Sequence, residues 1–127
     1  PVNMLPHRTP AQLLAIARQG LTEAADQPDG LRYSSAHLAA LRAAAAVLGA
    51  RAKPGPKARQ VRSAWELLAE VAPELADWAD HFAGTSQTRA AAEAGIPRVV
   101  TAREADDMLR AADTFVGVVE SMLVLSR

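Results

Sequence analysis

Apolar residues recur at three- and four-residue intervals along most of this chain, a spacing that predicts helices. From Leu31 to Ala52 the sequence LRYSSAHLAALRAAAAVLGARA runs without a proline and carries nine alanines. Tyr33, Ala36, Ala40, Ala44, Val47 and Leu48 fall on one face, and Leu38, Leu41 and Ala45 form a second apolar stripe beside it. A helix apolar over so much of its girth is normally covered on several sides. This segment is therefore the expected central rod, its alanines letting neighbours approach closely.

The other elements follow from the same pattern and from their punctuation. Thr9-Pro10-Ala11-Gln12 reads as a capping box with proline at the first helical position. Leu13, Leu14, Ala17, Leu21 and Ala24 mark the buried face of the helix it opens. Residues 26–30, DQPDG, form a turn into the central rod. After the rod, two prolines around Gly55 and a run of cations predict an exposed loop over 52–62. Ser63-Ala64-Trp65-Glu66 is a second capping box. Trp65, Leu68, Ala72, Leu75, Ala79 and Phe82 then keep one register across Pro73, which predicts a kinked helix, or two nearly collinear ones, ending at Gly84. A short helix from Ser86 stops at Gly95, followed by Ile96 and Pro97 in the order of a glycine C-cap. Thr101-Ala102-Arg103-Glu104 opens the last helix, whose face is Ala105, Met108, Leu109, Ala112, Phe115, Val116, Val119 and Leu123.

Composition narrows the class. The 127 residues suffice for one domain with one core, half of them are hydrophobic, and about a quarter are alanine, which favours helix. The chain has no cysteine, so disulfides and thiolate metal sites are excluded, which fits a reducing cytoplasm. No apolar run approaches the roughly eighteen residues of a membrane span, and the amino end, beginning at Pro1, has no signal-peptide pattern.

Charge sums to zero but is sorted. Between Gly30 and Trp65 lie Arg32, Arg42, Arg51, Lys53, Lys57, Arg59 and Arg62 with no acid. Between Glu66 and Asp80 lie Glu66, Glu70, Glu74, Asp77 and Asp80 with no Lys or Arg. Such sorting suits either a charged partner or two patches that face each other within the fold or across a dimer. Glu66, Glu70, Glu74 and Asp77 fall at helical spacing, the usual form of a solvated face.

Candidate chemistry is sparse. His7, His37 and His81 stand far apart, and Asp77 with His81 reads as a surface ion pair rather than a metal site. No glycine loop suited to a phosphate is present, since Pro54-Gly55-Pro56 lacks the following Lys-Ser or Lys-Thr. Residues 88–110 place Ala91, Gly95 and Ile96 like a helix-turn-helix, but Asp106 and Asp107 would repel phosphate on the reading helix. Arg32 and His37 remain. Histidine would handle the proton of an attacking RNA hydroxyl while arginine stabilised the phosphate. In a regular helix, though, their five-residue step turns the side chains about 140° apart. They converge only if the first turn is distorted or a second subunit supplies the complement. The plain alternative is an exposed Arg32 and a partly buried His37 capped by a neighbour.

The order of LTEAA, RYSSAHLAALRAAAAVL, SAWELLAEVAPELADWADHFA and AAAEAGIPRVVTAREADDMLRAADTFVGVVE resembles a branch of the HEPN domains (higher eukaryotes and prokaryotes nucleotide-binding) from high-GC Gram-positive bacteria. The similarity runs from about Pro10 to Leu123. It implies an up-and-down bundle of four or five helices, frequently a homodimer. Many such domains cut RNA with an Arg, four to six residues, then a His near the start of the last long helix. Here that region holds Arg98 and Arg103 with no histidine after either, whereas Arg32 and His37 have the spacing on the second helix. Non-catalytic members serve as binding modules beside nucleotidyltransferases, toxin systems or nucleic-acid repair machinery.

The resulting expectation is a single all-α HEPN-like domain over 1–127, an up-and-down bundle of four long helices plus one short one, with a loose arm over 1–8. It is expected to be a cytoplasmic homodimer without cofactor, metal or membrane. Its expected role is a non-catalytic interaction module in nucleic-acid-related processes, with RNA, DNA or an acidic protein contacted by Arg51, Lys53, Lys57, Arg59 and Arg62. The alternatives are a metal-independent ribonuclease using Arg32 and His37, and a dimerising scaffold that binds no nucleic acid.

Overall fold

The computed structural model describes residues 8–51 and 63–125. The arm expected over 1–8, Arg8 apart, and the loop expected over 52–62 lie outside them. The described residues form an all-α bundle without strands. Its six α-helices are α1 (Pro10–Ala24), α2 (Asp29–Arg51), α3 (Ala64–Val71), α4 (Ala76–Gly84), α5 (Ser86–Glu93) and α6 (Ala102–Leu125).

Local chemistry sets most of the boundaries. At α1 the Gln12 amide donates to Thr9 Oγ1 while Thr9 N–H donates to Gln12 Oε1, so the capping box is complete. At α6 Thr101 and Glu104 make the same reciprocal pair at 2.8 and 3.0 Å. Ser63 supplies one half of its box, accepting from the Glu66 amide. Helix α5 ends in a Schellman turn: Gly95, at φ +83°, donates to Ala92, and Ile96 donates to Ala91. Ile96 itself stays 54 % exposed, so the turn is held by backbone bonds rather than by an apolar contact.

The kinked helix, or two nearly collinear ones, expected up to Gly84 is instead a helical hairpin. Pro73 lacks an N–H and disfavours helical backbone at the residue before it; Ala72 accordingly sits at φ −132°, ψ 77°. A 3-10 turn, Pro73–Leu75, then reverses the chain. Were the two segments collinear, Trp65 and Phe82 would lie about 25 Å apart along the axis; their rings stack at 5.1 Å. The predicted apolar face is right throughout, since Trp65, Leu68, Ala72, Leu75, Ala79 and Phe82 are all buried. Only the path of the chain differs.

Helix α2 is the rod of the bundle, packed against α1, α3, α5 and α6. Of its ten buried residues six are alanines (Ala36, Ala39, Ala40, Ala43, Ala44 and Ala46). These bury little area themselves but let other helices come close. The larger burial comes from those neighbours: Leu68, Leu75, Phe82, Phe115, Val116 and Val119 are fully enclosed, and each such side chain is worth about 1.5–3 kcal/mol. Helix α1 runs antiparallel to α2, with Gly20 facing Ala39 and Pro10 facing Gly49. The second stripe expected on α2 is not core, for Leu38 is 39 % exposed while Leu41 and Ala45 are half-buried.

Candidate functional site

Helix α2 is regular from Asp29 onward, so Arg32 and His37 leave it in different directions and meet different partners. Arg32 bridges two helices. Its guanidinium reaches Asp29 at 3.1 Å on its own turn and Asp106 at 3.1 Å on α6, and its side chain is only 15 % exposed. The residue expected to stand exposed is thus held down by two carboxylates.

His37 is 2 % exposed. Its Nε2–H donates to the Phe82 carbonyl at 2.9 Å, in the last turn of α4, where the same oxygen also accepts from the Thr85 amide at 3.2 Å. Thr85 and Ser86 hydroxyls donate to the same oxygen at 3.0 and 3.1 Å. Trp65 and Phe82 meet the imidazole edge-on, with centroids 5.9 and 5.7 Å away. Burial pushes the His37 pKa below its ordinary range; the hydrogen bond to the carbonyl pulls it back, and Arg89 and His81 push it down further. A neutral imidazole enclosed in this way fastens α4 and the start of α5 to the rod.

Among the five cations expected to meet a phosphate or an acidic partner, Arg51 is the described one. It closes α2 and pairs at 2.8 Å with Glu74 on the 3-10 turn, so the basic and acidic stretches touch inside the fold at this point. A hydrogen bond from its own backbone, together with the pairing to Arg51, holds the Glu74 pKa down. Lys53, Lys57, Arg59 and Arg62 lie outside the described residues. Near the start of α6, Arg98 is exposed in left-handed backbone at φ 61°, and Arg103 is exposed on the first turn. On α6 the acids that argued against DNA reading are engaged, Asp106 with Arg32 and Asp107 with Arg110.

Sequence spacing gave no sign of the most elaborate polar contact. Arg18 on α1 forks onto Glu120 of α6, with Nη2 at 2.9 Å and Nε at 3.1 Å, and also pairs with Asp113. The hydrogen bond to Glu120 does most to push the guanidinium pKa further up, against a smaller cost of burial. The partners lie about a hundred residues apart in the chain, which no local pattern reports.

A long alanine-lined rod packed against a second long helix and wrapped by shorter ones, with a helical hairpin laid across one side, defines a small all-helical bundle domain. The chain belongs to the HEPN domain family: residues 22–120 match the model of the SAV_6107-like HEPN domains. No curated protein and no solved structure matches it. Among the described residues no helix is long and apolar enough to cross a membrane.

Proposed function

We propose that this chain is a non-catalytic HEPN interaction module, working as a homodimer in the cytoplasm and accessory to a nucleic-acid-related process. One observation carries the non-catalytic reading. The imidazole that RNA cleavage would need is enclosed by Trp65 and Phe82, with its Nε2–H committed to a backbone carbonyl. A general base has to come within hydrogen-bond reach of the hydroxyl it deprotonates. Arg32, bound by Asp29 and Asp106, is likewise engaged in the fold.

Contact with a phosphate backbone or an acidic protein is assigned to the stretch holding Lys53, Lys57, Arg59 and Arg62. What supports it is the lack of any acid between Gly30 and Trp65. Arg51 contributes least, being tied to Glu74.

Two assays on the full chain test the proposal. RNA incubated with the wild type, Arg32→Ala and His37→Gln should stay uncut in every case; metal-free cutting that Arg32→Ala abolishes would establish the ribonuclease reading instead. Affinity for RNA and DNA, measured from 50 to 200 mM salt, should fall steeply with salt and should collapse when Lys53, Lys57, Arg59 and Arg62 are reversed to glutamate. Salt-independent or absent binding, unchanged by the reversal, would favour the scaffold.

A further inference from the structure

Helices α1 and α2 turn matched stripes toward solvent on the same side of the bundle. On α1 the stripe is Ile16, Gly20 and Glu23, with Gln27 just beyond the helix; on α2 it is Leu31, Ser35, Leu38 and Arg42. Both step by fours and threes, the spacing of a seam that packs against further helices. Leu31 and Leu38 are 47 % and 39 % exposed, two of the four large apolar side chains left open among the described residues. Between the stripes runs a groove of about 220 Å³, kept open by the small side chains of Gly20 and Ser35. Pockets that enclose a drug-sized molecule begin near 300 Å³, so the groove is narrow for a metabolite and suits protruding side chains.

The polar groups along this groove are unjoined. Arg42, Glu23 and Gln27 all line it. Yet among the described residues the Arg42 guanidinium and the Glu23 carboxylate have no ion pair or hydrogen bond, and Gln27 Oε1 is buried without a donor. A guanidinium offers five donors and no acceptor, so Arg42 is complementary to the Glu23 carboxylate on α1. They remain unpaired inside one chain. An interface with two-fold symmetry joins such groups twice, because residue i then meets residue j of the other copy and j meets i.

We propose that a second copy of this chain docks on the α1–α2 face around Leu38. The contact is a two-fold, four-helix arrangement in which Arg42 of each protomer meets Glu23 of the other. The inference deepens the homodimer part of the proposed function and rests on it, while assigning the contact to a definite face.

Sedimentation equilibrium of the full chain decides the matter, with circular dichroism of each variant confirming the fold. The wild type should be dimeric. Leu38→Asp, at an exposed position, should raise the dimer dissociation constant at least about tenfold, and Glu23→Arg or Arg42→Glu alone should each raise it by about tenfold, since two pairs turn repulsive at once. The double variant Glu23→Arg/Arg42→Glu should return within about threefold of wild type. A monomeric wild type would overturn the dimer itself. Unchanged association of all three single variants would overturn this face alone, and single losses without rescue by the double reversal would overturn the pairing. None of these results bears on RNA binding or cleavage, which the preceding assays read separately.

Discussion

The Nε2–H of His37 donates to the Phe82 carbonyl at 2.9 Å, fastening the end of α4 to the central rod with a side chain whose burial disfavours its charged form. Nothing in either local sequence calls for the other. The bond is a consequence of the hairpin, which swings α4 back until its last turn lies over α2.

This arrangement makes stability depend on pH in a definite direction. Burial lowers the folded-state pKa of His37 below the ordinary 6.5, whereas the unfolded chain titrates near that value. Between the two values the unfolded state binds more protons. The contribution of neutral His37 is therefore complete above about pH 6.5 and is lost as pH falls through the window below it. Glu74, whose pKa is lowered from 4.5, acts only in more acid solution and leaves this window clear. His37→Gln keeps an N–H donor and cannot titrate. Urea midpoints from pH 7.5 to 5.5 should drop more for the wild type than for the variant; parallel curves would mean that His37 is not held neutral.

The hairpin itself has an energetic signature. Trp65 and Phe82 stack at 5.1 Å with planes 24° apart, and aromatic pairs of this kind couple by about 0.5–1.5 kcal/mol beyond their burial. In a cycle of Trp65→Leu, Phe82→Leu and the double variant, followed by urea unfolding, a coupling of about 1 kcal/mol is expected. Strict additivity would place the two rings apart, as a continuous helix does.

Why the hairpin escaped the sequence is instructive. A stripe of apolar residues in constant register says that each segment has a buried side, and Trp65 through Phe82 do keep one. It does not say whether the second segment continues the first or returns beside it. Pro73 was visible as a break, but the angle of a break depends on what the two arms pack against. Leu38 shows the same limit: periodicity found an apolar stripe, and only tertiary packing decides that it faces solvent. Pairs such as Thr9 with Gln12 and Thr101 with Glu104 were legible because both partners lie within one turn. Arg32 with Asp106 and Arg18 with Glu120 were not, since their partners arrive from other helices.

Two glycines should respond oppositely to alanine. Gly117 sits inside α6 without positive φ, and an added Cβ would make an ordinary 3.5 Å contact with Arg18 Nη2. Gly117→Ala should stabilise by about 0.5–1 kcal/mol through helix propensity. Gly95, at φ +83°, has open space around it, so only the backbone objects. Gly95→Ala should destabilise by about 1–2 kcal/mol. Thermal melts of both variants check the pair, and a stabilised Gly95→Ala would contradict the Schellman turn at the end of α5.

Arg32 offers the sharpest separation of a structural role from a catalytic one. Its guanidinium lies between Asp29 and Asp106, so removing it leaves two carboxylates facing each other across the α2–α6 contact. Asp106 is half-exposed, which keeps the coupling near the value for surface pairs: about 0.5–1 kcal/mol in an Arg32→Met/Asp106→Asn cycle. High salt should reduce it, because at 1 M the screening length shrinks to about 3 Å, close to the length of the contact. Arg32→Lys should recover only part of the loss, since a single ammonium does not reproduce a planar fork shared by two acids. A residue held for chemistry would behave in the opposite way, with stability indifferent to its loss and Asp106→Asn without effect on it. Stability that tracks both variants together would establish Arg32 as the tie between the rod and the last helix.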